Sequence, residues 1–176
     1  MPKLKDSNLR SASSDERLAA PGTSEAASIS PPADSSLPHR TTFRQELEFP
    51  GVLASIPEYR ERIMEFVSAH CADEGDRIDI LVAVQEALAN AALHGCKDDP
   101  LKRIRCLLTA DESDITITVS DPGPGFDLAL ADPERYQATT LSQGRGICLM
   151  RNLMSEVRFA SGGSEILLRK RIQPAR

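Results

Sequence analysis

The chain has no tryptophan, and aromatic residues make up only 4% of its 176 positions. Any core must therefore be built from aliphatic side chains. A surplus of positive charge is also missing: the formal net charge is -5, which argues against nucleic-acid binding through a general electrostatic field, because that mode needs concentrated cations to displace counterions. The four cysteines, Cys71, Cys96, Cys106 and Cys148, form no CxxC pair. They suggest neither a disulfide framework nor a zinc site, and four free thiols in a reducing compartment is the expectation. No apolar run approaches a membrane span, and charges and prolines stand where a signal peptide would carry its apolar segment. A cytoplasmic protein is expected.

The length suits one ordinary domain and is too short for two unless both are minimal. Hydrophobic residues at 40% and charged residues at 27% are near the usual values for globular proteins. Residues 1–40 are dominated by Ser, Ala, Pro, Asp and Glu, with no aromatic residue and no sustained hydrophobic period. Such a segment buries too little apolar surface to offset its ordering entropy. A disordered tail over 1–40 and one domain over 41–173 are expected.

Within the domain, Phe43, Leu47 and Phe49 fall on alternate positions and predict a strand that Pro50 and Gly51 end. Tyr59, Ile63, Phe66, Val67 and His70 predict a helix from about Pro57 to His70. CADEGD reads as the loop that follows. A second helix is expected from about Arg77 to His94, with Asp76 as its N-cap, Ile80, Leu81, Val84, Leu88 and Ala92 as its buried stripe, and Gly95 as its stop. Ile104, Cys106 and Leu108, then Ile115, Ile117 and Val119, alternate on either side of ADESD and predict a hairpin. After DPGPGF a polar stretch runs to about Gln143 before helical spacing returns at Ile147, Met150 and Leu153. SEVRFAS and SEILLRKRI, around Gly162 and Gly163, read as a closing hairpin. The sum is an α+β fold: a two-layer sandwich of a mixed, mostly antiparallel sheet with helices on one face.

Three polar features stand out against this frame. Glu86, Asn90 and His94 are spaced i, i+4, i+8 along one helix face. A carboxylate beside an amide on a face with few other polar groups asks for an ion, waters or a ligand. The Asn90 carbonyl oxygen suits Mg2+, which prefers hard oxygen ligands and keeps phosphates and waters in its shell. Glu86 would then be free to deprotonate an attacking hydroxyl. The alternative is a polar stripe facing solvent. Asp121 directly follows a buried strand and precedes Gly123 and Gly125; such a carboxylate can accept from an exocyclic amine while glycines let backbone approach a flat ring. The alternative is a plain Asp-Pro-Gly turn. Gly144 and Gly146 open a helix, whose N-terminus is a ready anion site; a hinge loop is the alternative. GRGICL is not the dinucleotide fingerprint, since a leucine stands where the third glycine belongs and no strand comes immediately before it. The GxxxxGKS phosphate loop is absent as well.

Taken in order, EALANAALHG, DPGPGF and GRGICLM resemble the N box and the two glycine boxes of the gyrase and histidine-kinase ATPase superfamily, whose domain is the Bergerat fold. Within it the chain looks most like the stand-alone anti-sigma-factor serine/threonine kinases, over about Phe43 to Arg171. The resemblance implies ATP and Mg2+ as cofactors, Glu86 as catalytic base and Asn90 as metal ligand. Asp121 would read adenine beside Gly123 and Gly125, and Gly144, Arg145 and Gly146 would form the phosphate-facing segment. Ser164 stands where the family usually has a threonine near the adenine, and keeps the hydroxyl. Arg60 matches a position used for a protein partner, although a solvated arginine is the simpler reading. His94 is not expected to be catalytic, because a histidine in a last turn more often meets the helix dipole.

The implied activity is phosphorylation of a small anti-sigma-factor antagonist by a homodimeric kinase that also binds a sigma factor. The alternative is an ATP-dependent protein-binding module without phosphotransfer. A sensor histidine kinase fits poorly, since the only histidines are His39, His70 and His94 and no phosphoacceptor helix pair precedes the N box.

Overall fold

The computed structural model describes residues 42–125 and 145–173. In chain order the elements are β1 (Phe43–Gly51), α1 (Ile56–His70), α2 (Glu74–Asn90), β2 (Asp99–Ala110), β3 (Asp114–Ser120), α3 (Arg145–Leu153), β4 (Glu156–Ala160) and β5 (Glu165–Arg171). The strands form one sheet in the order β1-β2-β3-β5-β4. Every pairing among the described residues is antiparallel, so the expected α+β sandwich is present without a parallel pair. The tail expected over 1–40, Gly144 and the polar stretch before it lie outside the described residues.

Strict alternation fixes which sheet face is buried. Leu47 and Phe49 of β1, Ile104, Cys106 and Leu108 of β2, and Ile115, Ile117 and Val119 of β3 are all buried. Their neighbours on the other face, such as Glu46, Glu48, Arg103 and Arg105, are exposed. The helices cover the aliphatic face with Ile63 and Val67 of α1, Ile80, Val84 and Leu88 of α2, and Ile147 and Met150 of α3. Burial of each such side chain is worth about 1.5–3 kcal/mol. The few aromatics join elements: Phe49 stacks on Tyr59 with ring centroids 4.0 Å apart, and Phe43 meets His70 at 4.5 Å. All four cysteines are free, and only Cys148 is exposed. Desolvation pushes the wholly buried Cys106 thiol up to about 12, so it behaves as a small hydrophobe. Among the described residues no helix is long and apolar enough to cross a membrane.

Three boundaries differ from expectation, each for a local reason. The first strand continues through Pro50 and Gly51, with a register shift between them. β1 is an edge strand, where a residue without N–H is tolerated. α2 begins inside CADEGD: the N-cap is Asp73, whose carboxylate accepts from the Asp76 amide at 2.8 Å. DEGD offers two capping carboxylates three residues apart, and the first one captures the free amide. Gly95 does not stop the helix. The chain passes from α2 into a wider, π-helical turn over Ala91–Cys96, and Lys97 in a left-handed conformation ends it. The amides of Lys97 and Asp98 both return to the Ala92 carbonyl, which supplies the closure a glycine usually provides.

Candidate functional site

α2 carries the small residues Ala83 and Ala87, and the π-helical turn adds Ala91, beside the half-buried Glu86 and Asn90. Small side chains let a neighbouring element come close, and α3 does. A Cβ placed on Gly146 would lie 2.6 Å from Glu86 Oε2 and 3.7 Å from Asn90 Nδ2. The start of α3, where helix amides have no intrahelical partner, therefore rests directly on the carboxylate and amide that the i, i+4 spacing aligns. Arg145 is exposed at the same helix end.

The second half of the site forms where β3 ends. Asp121 donates its backbone N–H to the Ser164 carbonyl at 3.0 Å, and its Oδ1 accepts from the Gly123 amide at 2.8 Å. Burial raises its pKa above the ordinary 3.8, while the Gly123 N–H and the Lys102 charge oppose that shift. Glycines pack around the carboxylate. A Cβ on Gly95 would lie 2.0 Å from Asp121 Oδ1, and one on Gly123 would lie 2.6 Å from Gly95 Cα. Gly125 adopts φ +76°, and its Cβ would stand 2.0 Å from the Gly162 carbonyl oxygen. The loop bearing Gly123 and Gly125 thus sits on the turn at Ser161–Gly163. Ser164 closes that turn by donating its hydroxyl to the Ser161 carbonyl at 2.9 Å.

Both halves share one helical run. Gly95 follows Asn90 by five residues, about one turn of a π-helix with its i→i+5 bonds, so Asp121 lies about one turn along the run from Asn90. The arrangement can hold a flat, amine-bearing ring at Asp121 and an anion at the start of α3. Asn90 offers a hard oxygen ligand of the kind Mg2+ shares with substrate phosphates, and the glycine at position 146 leaves the space beside it free of a side chain.

Glu86, Asn90, Asp121, Gly123, Gly125, Gly146 and Ser164 are thus drawn into two adjoining clusters by contacts through Gly95, Gly146 and the Ser161–Gly163 turn. His94 is exposed in the π-helical turn and Arg60 is exposed on α1; among the described residues no hydrogen bond or ion pair ties either to these clusters. Gly144 lies outside the described residues. Sequence reasoning missed Gly95, whose role is close approach to Asp121, and the left-handed Gly162 and Gly163, both at positive φ. The available signal was a glycine followed by the apolar Cys96, which suits a glycine buried inside an element better than one at its solvent-facing end.

Known proteins resemble this chain over most of the domain. The family described as histidine kinase-like ATPase domain matches residues 49–170. The anti-sigma F factor of Clostridium novyi (strain NT) is 30% identical over 122 residues, which is 65% of this chain and 84% of that protein. The crystal structure of the RsbU and RsbW domains of a Mycobacterium tuberculosis protein matches with a TM-score of 0.50 at 19% identity. That match covers 76% of this chain but only 33% of the other, and it speaks to the fold alone. The extent of the family match and the identity to a relative covered over most of its length carry the conclusion: this chain belongs to the histidine kinase-like ATPase domain family, as an anti-sigma-factor kinase-like ATPase.

Proposed function

We propose that the protein is an ATP-dependent serine/threonine kinase that phosphorylates a small anti-sigma-factor antagonist and thereby acts as an anti-sigma factor. The observation that carries this reading is the packing of Gly146, at the start of α3, onto Glu86 and Asn90. A module that only binds nucleotide has no need of a carboxylate at the phosphate end of its site. Asp121 accepts a hydrogen bond from the adenine amine, Ser164 lies beside it, and Gly123 and Gly125 let backbone approach the ring. The amides at the start of α3, which Arg145 opens directly after Gly144, receive the phosphates. Asn90 would hold Mg2+ through its carbonyl oxygen, and the ion would supply neutralisation of phosphate charge there.

Glu86 takes the proton from the substrate hydroxyl as that oxygen bonds to the γ-phosphorus. The bond from phosphorus to the β–γ bridging oxygen breaks, and ADP leaves with the electron pair. Catalysis of this kind is mostly positioning and charge stabilisation, which suits a preformed cluster on rigid helices. The partners in this reading are the antagonist, a sigma factor and a second copy of the chain, in the cytoplasm.

The test is incubation of the purified protein with Mg2+, γ-labelled ATP and the anti-sigma-factor antagonists encoded in the same genome. Label on a serine or threonine of one of them is expected, and Glu86→Gln should abolish it while retaining ATP binding. Intact nucleotide and unlabelled antagonists, with tight ATP binding, would replace the kinase by a nucleotide-gated binding module.

A further inference from the structure

Lys170 is an unusual residue in β5 because it points into the helical layer. Its register partner Ile115 and its alternation with Ile166 and Leu168 place it on the buried face of the sheet, and its side chain is only 12% exposed. A buried ammonium is costly unless each of its donors is satisfied. Here Nζ donates to Asp79 Oδ2 at 2.7 Å and to the Leu153 carbonyl at 2.8 Å, with Asp76 Oδ1 at 3.2 Å. Two of these partners are on α2 and the third is the last residue of α3. Lys170 therefore bridges the beginning of α2 to the end of α3.

Toward their opposite ends these helices meet again, where Gly146 approaches Glu86. On α2, Glu86 follows Asp79 by seven residues; on α3, Leu153 follows Gly146 by seven. Equal spans of helix have equal rise, about 10 Å here. The two helices thus run antiparallel and are matched in length between two fixed points, one ionic and one a close approach. Aliphatic packing such as Ile147 and Met150 against α2 resists separation, but it does little to stop sliding, since a helix surface offers similar grooves at successive turns. A charged, three-partner anchor at one end is what fixes the longitudinal position of the other.

We propose that Lys170 is a positioning residue for the phosphate end of the nucleotide site: by clamping the Leu153 end of α3 to Asp79 and Asp76, it holds the Gly146 end in register over Glu86 and Asn90. Lys170 does not touch nucleotide, and it acts only through the placement of α3. The adenine end of the site rests on Asp121, Gly95 and the Ser161–Gly163 turn, so the clamp leaves adenine recognition alone. This inference rests on the ATP site described above but not on phosphotransfer.

The experiment is calorimetric titration of native protein, Lys170→Met, Lys170→Arg and Asp79→Asn with ATP and, separately, with AMP, in the presence of Mg2+. Loss of charge-assisted positioning predicts that Lys170→Met weakens ATP at least about tenfold, with AMP changed less than about threefold because it lacks the outer phosphates. Lys170→Arg, which keeps the charge and the donors, should restore most of the ATP preference. Asp79→Asn should shift the ATP-to-AMP ratio in the same direction by a smaller factor, and it carries the test if Lys170→Met does not fold. A merely structural role would lower the melting temperature and weaken both nucleotides alike, or neither, and either result overturns the proposal. A native protein that binds ATP with the expected ratio but labels no antagonist would remove the kinase reading and leave the clamp standing.

Discussion

Gly95 and Asp121 are in such close contact that a single methyl group has no room between them: a Cβ on Gly95 would lie 2.0 Å from Asp121 Oδ1 and 2.1 Å from Cγ. One residue comes from the π-helical turn that ends the α2 run and the other from the end of β3. Their contact joins the helical run that carries Glu86 and Asn90 to the loop that carries Asp121, Gly123 and Gly125. The glycine serves close approach rather than helix termination, which Lys97 performs.

Gly95→Ala should therefore displace Asp121 rather than merely stiffen a turn. Overpacking of a well-filled site costs about 1–3 kcal/mol, so the melting temperature should fall by several degrees. Nucleotide affinity should fall more than stability does, because the displaced carboxylate no longer meets the ring amine. Thermal denaturation and ATP titration of the same preparation check both. Native-like ATP affinity in Gly95→Ala would show that this contact does not set the carboxylate's position.

Asp121→Asn separates the cost of the carboxylate from its use. Burial raises the Asp121 pKa despite the Gly123 N–H and Lys102. An acid with a raised folded pKa binds its proton more tightly in the fold, so its contribution to stability is present below about 3.8 and is lost as pH rises through the folded value. At neutral pH the ionised group is a liability to the fold by itself. The amide still accepts from Gly123 but carries no charge, so Asp121→Asn should be as stable as the native protein or more so at pH 7. It should bind ATP at least about tenfold more weakly, since a hydrogen bond to a charged acceptor is the stronger kind. Greater stability without loss of affinity would leave Asp121 no part in reading the base.

Much of this arrangement was legible in the sequence, and the parts that were not share a cause. Period-two alternation in Ile104, Cys106 and Leu108, and in Ile115, Ile117 and Val119, marks the buried sheet face because the pleat leaves no other choice. The spacing of Glu86 and Asn90 marks a shared helix face for the same reason. What spacing does not reveal is contact between distant segments. Gly95 looks like a helix stop until Asp121 is found against it, and Gly162 looks like any hairpin glycine until Gly125, at φ +76°, packs on its carbonyl. Lys170 reads as one more cation in LLRKRI, although its register in β5 turns it inward. The N-cap was misplaced by three residues because Asp73 and Asp76 are chemically equivalent and only the path of the backbone distinguishes them.

The ionic clamp should have a signature in alkaline denaturation. Burial by itself lowers the pKa of Lys170, but its hydrogen bonds and charge interactions with Asp79 and Asp76 outweigh that and raise it above 10.5. A base with a raised folded pKa contributes stability that is fully present below its unfolded value and lost as pH rises through its folded value. Stability between pH 7 and 9 should therefore be insensitive to this group, with a loss setting in above about 10.5. In Lys170→Met that alkaline step should shrink. Urea titrations at pH 8 and pH 11 on both proteins measure it, and equal alkaline losses would assign the step to other groups.

Gly146→Ala separates fold from function most directly. The atom that its Cβ would meet at 2.6 Å is Glu86 Oε2, the far end of a flexible side chain, which can swing away without moving backbone. Near the start of a helix, replacing glycine by alanine also favours the helix, by up to about 1 kcal/mol. The melting temperature should therefore hold or rise slightly. Glu86, however, would be turned away from its position beside Gly146, and a general base contributes about a hundredfold or more only while it reaches the proton it removes. Phosphotransfer to the antagonist should fall by at least that factor in Gly146→Ala, with a much smaller change in adenine-dependent binding. A variant that is stable and fully active would show that the Gly146 and Glu86 contact is a packing detail, and would remove the observation on which the catalytic reading of Glu86 rests.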